Sequence, residues 1–68
     1  MPYSTNDELP DAVRLHLPPH AQDIYRAAFN HAFTRHADET RAHRIAWAAV
    51  KRSYETLNGE WVPRDRDW

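Results

Sequence analysis

The chain has 68 residues, enough for one domain with a small core, and it contains no cysteine. Disulfides and thiolate metal sites are therefore excluded, and the reducing cytoplasm is the expected compartment. Nine basic and ten acidic residues leave a net charge of −1, which disfavours nucleic-acid binding, where a basic excess is typical.

The N-terminal part of the chain is predicted to contain an extended arm over residues 1–9 and one short helix. Pro10 suits the first turn of a helix, because it lacks the amide hydrogen that goes unused there, and Asp11 complements the helix dipole. Pro18 ends the helix, since the residue before a proline is pushed out of the α region. We therefore predict a helix over residues 10–17. Its inner face would consist of Ala12, Val13 and Leu17.

The strongest pattern in the sequence is an apolar face that begins after Pro19. Apolar residues recur at intervals of three and four over more than three turns, which is typical of an amphipathic helix. We predict a helix over residues 19–36. Its inner face would consist of Ala21, Ile24, Tyr25, Ala28, Phe29, Ala32 and Phe33.

A second apolar face follows Asp38, which is a good N-cap because its carboxylate accepts hydrogen bonds from the first-turn amides. The pattern predicts a helix over residues 38–57, with Gly59 taking the left-handed conformation just beyond its end. We expect this helix to lie antiparallel to the helix over 19–36, close to it because alanines face inward. Its inner face would consist of Ala42, Ile45, Ala46, Ala49, Val50, Tyr54 and Leu57.

After Gly59 the chain is predicted to be extended, with residues 63–68 forming a flexible tail. The extended segments at the two ends each carry an aromatic residue, Tyr3 and Trp61. They would either pair as a two-stranded ribbon over the helices or stay apart, because two strands alone are marginally stable. The predicted architecture is all-α: one compact three-helix domain over residues 1–68, with or without this ribbon.

Two blocks of the sequence resemble the ChaB family. The first contains Leu9-Pro10, Leu17-Pro18 and the motif HAQDIY from His20 to Tyr25, and the second is the motif AHRIAWAAVK from Ala42 to Lys51. The resemblance extends over nearly the whole chain. It implies a three-helix fold with a small β element, and a role as regulator of a cation/proton antiporter. The segment between the blocks, Thr34 to Thr40, is shorter than the charged inter-helix segment of the family.

The five histidines do not show a helical metal site. Such a site typically places two ligands at i and i+4 on one face of one helix. His16 and His20 are four residues apart, but Pro18-Pro19 lies between them and ends the helix there. We therefore expect no metal and no cofactor. The alternative left open for His20 and His43 is a response to pH, because imidazole titrates near neutrality.

The sequence carries no recognisable catalytic motif. There is no cysteine nucleophile, there is no glycine-rich phosphate loop, and Ser4 and Ser53 lie in no nucleophile motif. No stretch approaches the roughly 20 apolar residues that cross a bilayer. We therefore expect a cytoplasmic, non-enzymatic protein that is not inserted in the membrane.

Trp47 lies beside the apolar stripe of the third predicted helix. It would either seal the edge of the small core against the N-terminal segment or Trp61, or anchor a partner, since tryptophan is frequent at interface hot spots. We predict a partner-binding surface where polar motif residues border the core. The candidate residues are His20, Asp23, His43, Trp47, Lys51 and Trp61.

The predicted function is that of a regulatory or adaptor protein that binds another protein, and the resemblance suggests the cytoplasmic side of a cation/proton antiporter. Two alternatives stay open. A basic strip on the third helix would suit a nucleic-acid-associated accessory protein, although acidic residues interleave with it. A second copy of the chain could instead complete the small core, so we expect a monomer or a weak homodimer. The basic strip consists of Arg41, Arg44, Lys51 and Arg52, interleaved with Asp38, Glu39 and Glu55.

Overall fold

A computed structural model describes residues 2–64 of the chain. The three predicted helices are present, and a two-stranded antiparallel sheet follows them, so the fold is mostly helical rather than all-α. A 3-10 turn, Asn6–Glu8, interrupts the predicted extended arm. The remaining elements are α1 (Asp11–Arg14), α2 (Pro19–His36), α3 (Glu39–Ser53), β1 (Tyr54–Leu57) and β2 (Glu60–Pro63).

Helix α2 has the bounds predicted from the sequence. Pro19 occupies its first turn, where no amide hydrogen is needed. At the other end, Ala37 takes the left-handed conformation with φ of 53°, and its N–H donates to the carbonyl of Phe33 at 2.7 Å. This bond closes the helix and lets the chain reverse within two residues.

Helix α3 begins as predicted, because the Asp38 carboxylate accepts a hydrogen bond from the N–H of Arg41 at 3.3 Å. Ala42 and Ala46 are completely buried, so their small side chains let α2 approach closely. Ile45, predicted to face inward, is 37% exposed instead. It lies at the border of the inner face, and the buried stripe of α3 is narrower than the sequence suggested.

The two long helices are antiparallel, as predicted. The ring of Phe29 lies near that of His43, and the ring of Tyr25 lies near that of Trp47. Residue numbers therefore fall along α2 as they rise along α3, which is the order that a short reversal between helices produces.

The predicted C-terminal end of the third helix is wrong, because α3 stops at Ser53 and residues 54–57 form β1. Asn58 and Gly59 have φ values of 54° and 83°. A two-residue type I′ hairpin turn requires positive φ at both central positions, so this pair connects two strands rather than ending a helix. Leu57, predicted to lie in the core, is consequently 62% exposed.

Of the two alternatives for the extended segments at the ends of the chain, the structure shows the one without a ribbon between them. The partner of β2 is β1, with Thr56 opposite Trp61. Tyr3 packs on α2 instead: its ring lies 4.8 Å from that of Phe29, and its backbone N–H and C=O both bond to the side chain of Asn30 at 2.8 Å. A two-residue turn closes with far less loss of chain entropy than a pairing across the whole chain.

Helix α1 is shorter than predicted, because Pro18 disfavours helix in the residue before it and the preceding turn unwinds. Val13 and Leu17 are buried as expected, whereas Ala12 is exposed. Gln22 holds the bend in front of α2, since its Nε2 donates to the carbonyl of Leu17 at 2.8 Å. The segment before α2 is thus held by the buried side chains of Val13 and Leu17 and by the side-chain amide of Gln22.

The core runs along the α2–α3 interface and continues under α1 and the hairpin. Pro63 belongs to β2, and the N–H of Arg64 extends the ladder by donating to the carbonyl of Ser53 at 2.8 Å. The rest of the predicted tail, residues 65–68, and Met1 lie outside the described residues. The buried residues are Leu9, Val13, Leu17, Ala21, Tyr25, Phe29, Ala32, Ala42, Ala46, Val50 and Tyr54.

Candidate partner-binding site

Three of the six predicted partner-binding residues lie along one edge of the α2–α3 interface: His43, Trp47 and Trp61. The ring of Trp47 meets that of Tyr25 edge-on, with centroids 5.2 Å apart, and lies 5.7 Å from that of Trp61 on β2. Trp47 therefore packs against Trp61 at the rim of the core. Both tryptophans keep part of their surface exposed, so this packing leaves them able to contact a partner.

His43 connects the core to a carboxylate at the surface. The Tyr25 hydroxyl is hydrogen-bonded to His43 Nδ1, and His43 Nε2 lies 4.0 Å from Glu39 Oε2. In a neutral imidazole protonated on Nε2, Nδ1 accepts from the phenol and Nε2–H faces the carboxylate. Burial raises the pKa of Tyr25 to about 12, with a smaller contribution from Tyr3. Tyr25 therefore stays neutral throughout the physiological range and keeps a proton that it can donate.

Sequence reasoning missed Tyr25 and Tyr3 as neighbours of the candidate site. Burial, and to a smaller extent the charge of Glu39, raise the pKa of Tyr3. The spacing of Glu39 and His43, four residues on one helix, was a usable signal for their contact. The tyrosines carried no such signal, because both reach this edge only through contacts between elements.

Lys51 continues the same edge of α3, one turn beyond Trp47, and is exposed. Together with Trp61 it lines an open groove of about 320 Å³. Arg64 crosses this groove: its Nε donates to the carbonyl of Lys51 at 2.6 Å, and its guanidinium lies 3.4 Å from Glu55. Glu55 is thereby engaged on the hairpin, which leaves the ammonium of Lys51 facing solvent.

A second open groove, of about 410 Å³, lies on the other side of Trp61. Its walls combine the bend before α2 with the hairpin turn, and the largely exposed side chain of Leu15 adds an apolar surface. Trp61 is thus the wall shared by two grooves. The lining residues are Leu15, His16, Leu17, Pro18, Gly59, Glu60 and Trp61.

The remaining two predicted residues lie elsewhere. His20 is exposed in the first turn of α2, with its ring 6.3 Å from that of Tyr54. The Asp23 carboxylate accepts a hydrogen bond from Asn6 at 2.7 Å and lies 3.9 Å from the guanidinium of Arg26, so it holds the N-terminal arm. Asp23 is therefore engaged with the arm, whereas the ring neighbour of His20, Tyr54, lines the same groove as Lys51 and Trp61.

The sequence model of the ChaB family matches residues 9–64 of this chain. The chain belongs to the ChaB family. A ChaB protein of Escherichia coli (strain K12), named "Putative cation transport regulator ChaB", is 47% identical over 64 residues, covering 79% of this chain and 84% of its own length.

Two further comparisons extend the ChaB match. The "Uncharacterized 10.9 kDa protein in LEF8-FP intergenic region" of Lymantria dispar multicapsid nuclear polyhedrosis virus is 39% identical over 56 residues, covering 82% of this chain and 58% of its own. The "NMR solution structure of the putative cation transport regulator ChaB" superposes with a TM-score of 0.82 at 40% identity. That superposition covers 94% of this chain and all of the other, so the ChaB fold includes the helices and the hairpin.

The E. coli relative is longer than this chain within the match. Its 64 aligned positions correspond to about 54 residues of this chain, so the relative carries additional residues there. In this chain only Ala37 and Asp38 join α2 to α3.

Two further properties of this ChaB structure bear on the site. Within residues 2–64, no three histidine, aspartate or glutamate side chains gather where they could hold a metal ion. None of the helices in the described part of the chain is both long enough and apolar enough to cross a membrane.

Proposed function

We propose that this ChaB protein is a non-enzymatic regulator that binds the cytoplasmic side of a cation/proton antiporter. Its similarity to the E. coli protein, whose name refers to cation transport, supports the regulatory role. The binding surface would be the edge formed by His43, Trp47, Lys51 and Trp61, hereafter the tryptophan edge. The observation that carries this choice is the partly exposed Trp47–Trp61 pair beside two open grooves.

The tryptophan edge has the composition of an interface centre. Large rings held by neighbouring rings lose little conformational freedom on binding, and buried tryptophans dominate many interfaces. The two grooves beside Trp61 can each receive a side chain of a partner, while Lys51 supplies a positive charge at the rim. A partner that fits would present an apolar side chain next to a carboxylate.

Cross-linking in the native host tests the identity of the partner. A photo-reactive residue in place of Lys51 should capture a cation/proton antiporter. The same residue in place of His31, which is exposed on α2, is the matched control and should not capture it. Repeated capture of no membrane transporter from the Lys51 position would contradict the proposal.

A transport assay tests the consequence of binding. Added to everted membrane vesicles, the protein should change the rate of cation/proton exchange, and Lys51→Glu should weaken that effect while Lys51→Arg retains it. Arg35→Glu makes the same charge reversal on α2 and should behave as the unchanged protein. An exchange rate that does not respond to the unchanged protein, or that responds equally to both reversals, would argue against the tryptophan edge.

A further inference from the structure

The outer face of α3 carries four exposed basic residues and no acidic one. From Thr40 to Ser53 the chain contains neither aspartate nor glutamate. At 1.5 Å per residue, the basic positions extend over about 16 Å of the helix axis. We call this surface the basic face; it consists of Arg41, Arg44, Lys51 and Arg52.

The acidic residues expected to interleave with these cations are engaged elsewhere. Asp38 accepts the N–H of Arg41 at the start of the helix, Glu39 faces His43, and Glu55 lies on β1 against Arg64. Within residues 2–64, none of the four cations of the basic face takes part in an ion pair. The end of α3 at Ser53 is what removes Glu55 from the helix surface.

No described element covers the basic face, because the parts of the chain that precede α2 pack on α2. Asn30 and Arg26 hold the arm, and Gln22 holds the bend after α1. Ala48 is exposed between the basic residues, and Ile45, 37% exposed, lies at the border of the face beside Arg41 and Arg52. The result is a convex helical surface with a small apolar centre at Ala48 and an isoleucine at one border.

Two acidic side chains that precede α3 are engaged close to their own positions. Asp23 on α2 accepts a hydrogen bond from Asn6, and Asp11 pairs with Arg14 on α1. Within residues 2–64, neither pairs with a cation of the basic face. The basic face therefore presents its charge locally, although the chain as a whole carries −1.

We propose that the basic face docks α3 flat on an anionic phospholipid surface. A plane of mobile headgroups can meet cations spread along one side of a helix, and arginine binds phosphate oxygens through paired N–H groups. Ile45 and Ala48 would then meet the boundary between headgroups and acyl chains. A nucleic acid is disfavoured because its phosphates offer no contact to this apolar centre. Because the basic face shares Lys51 with the tryptophan edge, the variants that distinguish the two proposals change Arg44 and Arg52, which the antiporter proposal does not use.

Co-sedimentation with vesicles tests the docking at 0.1 M salt. The protein should pellet with vesicles of phosphatidylcholine containing phosphatidylglycerol, and not with phosphatidylcholine alone. Each basic residue near such a surface contributes roughly fivefold, so Arg44→Gln/Arg52→Gln should lower partitioning roughly 25-fold. Arg14→Gln/Arg35→Gln removes the same charge from α1 and α2 and should bind as the unchanged protein does.

A second variant separates lipid from nucleic acid. Ala48→Leu enlarges the exposed apolar centre, so it should strengthen sedimentation with the anionic vesicles and leave retention on duplex DNA unchanged. Circular dichroism on every variant confirms that α3 is intact. The docking proposal is overturned if the unchanged protein fails to pellet, if both arginine pairs lose binding equally, or if DNA is retained more strongly than the vesicles through the same arginines.

Discussion

Replacing Tyr25 by phenylalanine removes one hydroxyl group from the middle of the α2–α3 interface. The residue is 1% exposed, so the ring of the variant keeps its packing against Trp47. The change removes the hydrogen bond to His43 Nδ1. A neutral hydrogen bond contributes about 0.5–1.5 kcal/mol, and water can reach the part-exposed His43 in the variant, so we expect a loss of about 1 kcal/mol at pH 7.

The same hydroxyl makes the stability depend on pH in the alkaline range. Burial raises the pKa of Tyr25 from 10.0 to about 12, so the folded protein keeps a proton that the unfolded chain releases first. This contribution is fully present below pH 10 and is lost as the pH rises through 12. At about 1.4 kcal/mol per pKa unit, the loss of this contribution lowers the free energy of unfolding by up to about 1.4 kcal/mol at pH 11. Phenylalanine has no proton to release.

Urea unfolding followed by circular dichroism at pH 7, 9 and 11 measures both effects. The unchanged protein should be the more stable of the two at pH 7, and its advantage over Tyr25→Phe should vanish or reverse at pH 11. Tyr54→Phe, at another buried tyrosine, is the control for loss of a phenol. If the free energies of unfolding of the unchanged protein and of Tyr25→Phe change in parallel from pH 7 to pH 11, the burial argument is refuted. If the two free energies are equal at pH 7, the hydrogen-bond argument is refuted.

Three other substitutions test how the elements are held together. Asn30→Ala removes both bonds to the backbone of Tyr3, so we expect a loss of about 1–2 kcal/mol and faster amide exchange at Tyr3; unchanged exchange would contradict this. Ala37→Gly relieves a left-handed conformation at the end of α2 and should stabilise the protein by about 0.5–1 kcal/mol, seen as a raised Tm; a lowered Tm would count against the assigned geometry. Ala46→Leu overfills the contact with α2 and should destabilise by about 1–3 kcal/mol in urea, with the exposed Ala48→Leu as the unaffected control.

The candidate site was predictable where its residues share one helix. His43, Trp47 and Lys51 follow each other at intervals of four, so the sequence alone places them along one edge of α3. Trp61 joins that edge only because the Asn58–Gly59 turn folds β2 back. The contact between Trp61 and Trp47 therefore depends on the hairpin. The sequence analysis did not predict this hairpin, because it continued the third helix to residue 57.

His20 shows the opposite case. It belongs to a motif that marks the family, yet its ring lies beside Tyr54 rather than with His43 and Trp47. A motif reports which residues occur together along the chain, and the direction in which each one faces depends on its position around the helix. The position of His20 beside Tyr54 follows from that geometry.

By itself, the sequence determined the family, the bounds of α2 and the start of α3, because each depends on periodicity, a proline or a cap that acts within a few residues. The tertiary structure decided where α3 ends. Residues Tyr54–Leu57 fit a helical stripe as well as an alternating strand, and an Asn-Gly pair can follow a helix or join two strands. Pairing with β2, and the packing of Trp61 on Trp47, select the strand. These contacts depend on residues brought together by the fold, which no local pattern contains.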